Sequence, residues 1–382
     1  MNPPGSDTKS RATGKSYLVP FVDAKKHYRR LKSELDAAIF DCLENGDLIL
    51  RKQLAGFERN LAEFVGTKYA VGVASGYHAL HFSLLAAGIG AGDEVITVAH
   101  TFVASVSAIL HAGAKPVLVD VTDDFNMDLD QLERALTPRT RAIMPVHLNG
   151  RLCDMGRLMS FAREHRLVVV EDACQGLGAT FEGRKGGSFG HGCFSFYPFK
   201  ALGGFADGGA ITTDDPEVAR MATLLRYNGE DRATGEFHTH GYTALLDNIQ
   251  AAVLDVKLKH FPDWIEHRRA MAERYHAGLS DLEELRLPHF PGAAFRDSYQ
   301  NYVIRCRRRD DLRAFLTERG VETLVSWPKP MWRHEGLKLG ELHLPKTEQL
   351  CREVMSLPMS AETTPEQVDL TVGLIREFVE KR

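Results

Sequence analysis

The chain reads as an α/β protein: a mostly parallel sheet flanked by helices, followed by a smaller C-terminal α+β domain. Three observations predict this. From about residue 68 to 225, short apolar runs alternate with segments whose apolar positions recur at three and four. From about 285 the alternation gives way to one strand-like run and two helical ones. With 382 residues, 44% hydrophobic and 26% charged, the chain can bury a sizeable core.

In chain order, "MNPPGSDTKSRATGK" (1–15) has Pro, Gly and Ser but no apolar core, so it reads as a disordered tail and not a signal peptide. Strands are expected at "YAVGVA" (69–74), "EVITVA" (94–99), "PVLVDV" (116–121), "AIMPVH" (142–147) and "LVVVED" (167–172). Two more, "CFSFY" and "GAITT", flank a loop containing Lys200. Helices are expected between them, as at "HALHFSLLAAG" and "DMGRLMSFAREH". A long helix follows over 245–261 and another over "DWIEHRRAMAERYHAGL". In the last part "YQNYVIRC" predicts a strand and "RDDLRAFLTERG" a helix closed by Gly320. The closing helix starts at threonines and Pro365. The expected division is a large domain over 16–260 and a small one over 261–382.

A net charge of −4 with well-mixed acids and bases gives no reason to expect nucleic acid or an anionic membrane as partner. Six scattered cysteines without C-x-x-C spacing argue against a disulfide framework or a zinc cluster, so no metal is expected and a reducing cytoplasm is. No apolar run is long enough to span a bilayer.

Ligands of open α/β sheets bind where the carboxyl ends of strands meet their loops. Four features of the sequence fall on that rim. Asp172 ends one strand; Ser75 and Gly76 form a turn after another, before a helix whose free N–H groups suit a phosphate. Phe102 follows a third strand, and Lys200 lies in the loop between two later ones. Taken singly, each has an ordinary explanation: a solvated lysine, a strand-end turn, a helix cap, a core phenylalanine. Together they are the equipment for pyridoxal phosphate (PLP): an amine for a Schiff base, an acid for the pyridine nitrogen, a flat apolar face and a phosphate cradle. The spacing does not choose among PLP enzymes and leaves open another phosphorylated ligand.

The segments "GDEVITVAHTFVASVSAILHAGAKPVLVDV", "IMPVHLNG", "VVVEDACQGLGA" and "FSFYPFKALGGFADGGAITTDD" add a resemblance. Nearly end to end, the chain resembles the nucleotide-sugar aminotransferases of the DegT/StrS type, which have the type I fold of PLP-dependent aminotransferases. The resemblance implies Lys200 as the Schiff-base lysine and Asp172 as partner of the pyridinium nitrogen. It implies Gln175 near the ring's phenolic oxygen, Phe102 stacked on the ring, and Ser75, Gly76, Tyr77 and Ser195 around the phosphate. It further implies a homodimer in which a loop of one subunit completes the other's site, at Thr243 in this chain. The reaction implied moves an amino group from L-glutamate to a keto nucleotide-sugar by way of PLP and pyridoxamine phosphate (PMP), and "FSFYPFK" looks more like relatives acting on 3-keto than on 4-keto sugars.

Some positions depart from that pattern. Tyr77 and His78 stand where relatives have Thr and Asp or a small residue. "GYTALLDNIQAA" places Thr243 and Leu245 at an expected asparagine and arginine. Trp332 and Arg51 replace a histidine and a glycine. An aliphatic side chain does not replace a guanidinium fork on phosphate. These changes keep two alternatives beside the sugar aminotransferase: an aminotransferase for a cyclitol ketone, and a PLP-binding regulatory protein without turnover.

Overall fold

The computed structural model describes residues 17–289 and 292–381. The expected tail at 1–15 lies outside them. Two helices open the described chain, α1 (Ala24–Glu44) and α2 (Lys52–Val65). The alternating region follows: β1 (Tyr69–Val73), α3 (Gly76–Ala86), β2 (Glu94–Val98), α4 (Val103–His111), β3 (Lys115–Val119), β4 (Thr140–Ile143), α5 (Met155–Glu164) and β5 (Val168–Asp172). Then come β6 (His191–Ser195), β7 (Gly209–Thr213) and α6 (Pro216–Leu225). The sheet order is β1-β7-β6-β5-β4-β2-β3, and all neighbours are parallel except around β7, which runs against both β1 and β6.

Period-two alternation decides which side chain faces which layer. Val71, Val95, Ala142, Val170, Cys193 and Ile211 pack on the face covered by α3, α4 and α6. Their neighbours Ile96, Ile143 and Val169 face α5, while Phe194 and Ala210 face α1 and α2. With Val170 on the α3–α4 face, the same rule sends Asp172 to that face and Glu171 to the other.

One helix, α7 (Asn248–Leu279), replaces the two expected over 245–279, and it runs straight through Pro262. A proline inside a helix costs about 3 kcal/mol. The burial of both halves outweighs it: Leu254, Leu258, Phe261, Trp264 and Ile265 enter the large core, and Met271, Ala272, Tyr275 and Leu279 the smaller one. α7 therefore belongs to both layers, and the division near 260 that we propose falls inside it.

The C-terminal part is an antiparallel sheet in which β8 (Tyr302–Cys306) lies between Leu285–Arg286 and β9 (Val354–Leu357). Around it lie α8 (Arg309–Glu318), α9 (Pro345–Glu353) and α10 (Pro365–Glu380). Gly320 follows α8 with φ +80°, and Thr364 and Gln367 cap α10 reciprocally. Asp120, buried just after β3, accepts from the N–H groups of Lys346 and Thr347 and from the Thr347 hydroxyl at 2.7–2.8 Å. That bond set fastens the start of α9 to the large sheet. Among the described residues no helix is long and apolar enough to cross a membrane.

Candidate active site

Asp172 is buried at the end of β5, with 5% of its surface exposed. Its Oδ2 accepts from the Ser105 hydroxyl at 2.7 Å and its Oδ1 from the Cys174 N–H at 3.2 Å. Ser105 lies in the first turn of α4 and is itself within 2.9 Å of the Thr101 hydroxyl. Two donors thus fix the carboxylate plane. Glu171, one residue earlier, is turned to the opposite face and has a structural task. It meets His147 Nε2 at 2.9 Å and the N–H groups of Gly187, Phe189 and Gly190 at 2.8–2.9 Å. Burial opposes its charge, yet these bonds hold its carboxyl below the usual range.

The helix start lies beside them. Ser75 is the N-cap of α3, with its Oγ accepting from the His78 N–H. The N–H groups of Gly76 and Tyr77 belong to the first turn, which has no intrahelical acceptors for them. Gly76 sits where no side chain fits: a Cβ would come within 2.7 Å of Ser195 Cβ and 2.8 Å of Cys174 Sγ. Ser75, Gly76, Ser195 and the residue after Asp172's neighbour therefore close on one point. Tyr77 points elsewhere; its hydroxyl meets His111 Nδ1 at 2.6 Å, so only its backbone remains for a ligand.

Lys200 is partly buried in the turn between β6 and β7. Burial pushes the Cys174 thiol well above its ordinary pKa; Asp172 pushes it further and Lys200 pulls it back. The same sulfur therefore feels both groups. The glycines after the lysine are required by close approach: a Cβ on Gly203 would lie 2.5 Å from the Pro198 carbonyl oxygen, and one on Gly204 2.8 Å from Gln250 Oε1.

The remaining residues singled out in the sequence take these places. Phe102, the N-cap of α4, leaves 60% of its surface bare. Gln175 Oε1 accepts from the Asn149 N–H at 2.9 Å, which turns its NH₂ the other way. Thr243 is exposed and donates to Asn228 Oδ1 at 3.0 Å, while Leu245 bridges to Val73 at the end of β1. Trp332 is buried with Ala99 and Leu344.

Residues missed by the sequence reading carry much of the support. Ser105 was within reach, three positions after Phe102 at a helix start. Gln250, Lys257 and Gln300 were not, because each reaches the lysine loop from 45 or more residues away.

Residues 29–376 match the DegT/DnrJ/EryC1/StrS aminotransferase family. The chain belongs to that family. It is 40% identical over 368 residues to the dTDP-3-amino-3,4,6-trideoxy-alpha-D-glucose transaminase of Streptomyces venezuelae, covering 95% of this chain and 97% of that protein. It superposes on the crystal structure of S. venezuelae DesV in complex with a ketimine intermediate with a TM-score of 0.92, at 40% identity over 96% of this chain and all of that one (100%). The structure of NtdA from Bacillus subtilis with bound PMP matches at a TM-score of 0.89 and 28% identity, over 97% and 87% of the two chains.

This family member is a PLP-dependent sugar aminotransferase with the type I fold, and its residues fit the cofactor. The cradle at Gly76, which a Cβ would fill, lies against the Ser195 side chain at a helix N-terminus. The oriented Asp172 carboxylate and the bare Phe102 ring lie on the same rim.

Proposed function

We propose that this enzyme moves an amino group from L-glutamate to the 3-keto carbon of a nucleotide-linked sugar, as a cytoplasmic homodimer. The observation that carries the reading is the junction at Gly76, Cys174 and Ser195, where the helix start meets the ends of β5 and β6. The relative of 40% identity is named for a 3-amino sugar, which supports the C3 position.

When bound, the cofactor supplies an electron sink and the carrier for the amino group. The chain's own residues have the following tasks. Asp172, held by Ser105 and the Cys174 N–H, would be the carboxylate that faces the ring nitrogen. Lys200 would supply the amine that holds the cofactor and the base for the substrate proton. The N–H groups of Gly76 and Tyr77, with Ser75 and Ser195, take the phosphate. Gln175 offers its NH₂ to the phenolic oxygen, its carbonyl already being occupied by Asn149. Phe102 covers one ring face.

The homodimer rests on a bare apolar rim. Phe40, Leu43, Leu48 and Ile49 are exposed at the end of α1 and the turn after it, and Phe102, Tyr197, Phe205 and Tyr242 around the site. We take these side chains together as one surface, and an exposed apolar patch is ordinarily covered by a partner. Thr243 would then reach the other subunit's site, as the resemblance implies. Two measurements test the proposal. The PMP form is mixed with 3-keto and 4-keto nucleotide-sugars, and the amine is located in the product; amination at C4 alone overturns the C3 assignment. Light scattering at micromolar concentration should give twice the chain mass, and a monomer with full activity would end the shared-site reading.

A further inference from the structure

The lysine loop is tied down from outside. Gln300 Oε1 accepts from the Ala201 N–H at 2.6 Å, and its Nε2 donates to the Phe199 carbonyl at 3.2 Å. Those two groups belong to the peptides on either side of Lys200. One side-chain amide therefore forms both bonds of a strand-like rung around that residue, using its single acceptor and its donor in the only arrangement that satisfies both. Gln300 is itself 8% exposed and held from two directions. Arg268 Nη1 donates to the carbonyls of Tyr299 and Gln300 at 3.0 and 3.4 Å. Gly150, at φ +93°, lets this segment approach so closely that a Cβ there would lie 2.6 Å from the Gln300 nitrogen. The adjacent Asn149 holds Gln175. Other ties act further along: Lys257 Nζ donates to the Gly203 carbonyl at 2.6 Å, and Gln250 Oε1 accepts from Phe205 and Ala206. Among the described residues, Gln300 is the side chain whose amide bonds to the peptides on both sides of Lys200.

We propose that Gln300 is a positioning residue for Lys200, fixing the peptide planes that aim its amine. The proposal rests on the reading of Lys200 as the cofactor-binding amine. A lysine that must be displaced and then return has to find the same direction each time, and a displacement of about 1 Å costs on the order of 100-fold in rate. Glutamine suits the task and glutamate does not: a carboxylate would set an oxygen against the Phe199 carbonyl oxygen.

The test uses the purified PLP-loaded protein and three variants, Gln300→Glu, Gln300→Leu and Lys200→Ala. Borohydride reduction and peptide mapping of the unmodified protein come first. Label on Lys200 supports the underlying reading; label on another lysine removes both that reading and the proposal. Next, the cofactor's absorbance is titrated with pH, and its displacement from the protein by methoxyamine is timed. In either Gln300 variant the midpoint is expected to move by about half a pH unit or more, and the displacement rate to change by about 10-fold or more. Finally, the Gln300 change is placed in the Lys200→Ala protein and PLP affinity is measured. Affinity within about twofold of the Lys200→Ala single variant is expected, because the effect passes through the lysine. Unchanged midpoint and rate in both variants, with label on Lys200, overturns the positioning role alone. So does an equal loss of PLP affinity with and without Lys200, which would make Gln300 a part of the pocket wall. Should Gln300→Leu fail to fold, Gln300→Glu, which keeps shape and polarity, gives the same readouts.

Discussion

Asp172 and Glu171 are adjacent carboxylates with opposite employments, and strand alternation separates them. Glu171 is satisfied on all sides by His147 and three backbone N–H groups, so it has nothing left for a ligand. Asp172 has two protein donors, one on each carboxylate oxygen. Replacing Asp172 by Asn should lower turnover by about 10²–10⁴-fold while leaving PLP bound, measured as single-turnover conversion by L-glutamate. Replacing Ser105 by Ala removes one charge-assisted bond, about 1.5–3 kcal/mol, and should lower the same rate by roughly 10–100-fold. Equal rates in Ser105→Ala and the parent would show that the carboxylate is held by other means. The departure at Tyr77 is less costly than the sequence suggests, because His111 takes its hydroxyl and the backbone N–H is unaffected.

At the scale of elements, the fold is joined at helix termini. The start of α9 depends on Asp120, which accepts three bonds from Lys346 and Thr347. Asp120→Ala should destabilise the protein by about 2–4 kcal/mol, seen as a lower midpoint in urea. An unchanged midpoint would mean that α9 is docked by its apolar face alone. Gly150→Ala combines a left-handed backbone with a collision against the 299–300 peptide. It should reproduce the spectroscopic changes of the Gln300 variants in addition to a loss of stability. Wild-type absorbance and methoxyamine kinetics in Gly150→Ala would contradict the route from the 147–151 loop to Lys200.

For the whole molecule, buried histidines set an acid limit. Burial lowers the pKa of His81 from 6.5 to about 4, and burial likewise lowers that of His100 to about 4. Both are buried, and His81 Nε2 and His100 Nδ1 have no hydrogen-bond partner. Between those values the unfolded chain binds more protons than the folded one, so stability rises with pH across the window. The contribution is complete above about pH 6.5 and is lost as pH falls through about 4, with each histidine worth on the order of 3 kcal/mol. Circular dichroism should show the unfolding free energy falling steadily from pH 6.5 to 4. His100→Phe, whose ring would lie against Phe125 and Trp327, should flatten that slope. An identical slope in the variant would remove His100 from the account.

The sequence by itself determined the succession of strands along the chain, the strand ends and loops on which Asp172, Ser75, Phe102 and Lys200 fall, and the capping of α8 and α10. These follow from local patterns: a period of two, a period of 3.6, and glycine, proline or threonine at chain reversals. It did not show α1 and α2, whose apolar stripes of Leu31 and Leu35, and of Leu54, Phe57, Leu61 and Val65, went unassigned. It divided α7 at Pro262, since the burial that overrides that proline comes from two cores the helix joins. Only the tertiary structure decided that Glu171 is locked, that Tyr77 turns to His111, and that Gln300 grips the backbone around Lys200. Each is a contact between segments 16 to 101 residues apart, and no local rule reaches that far.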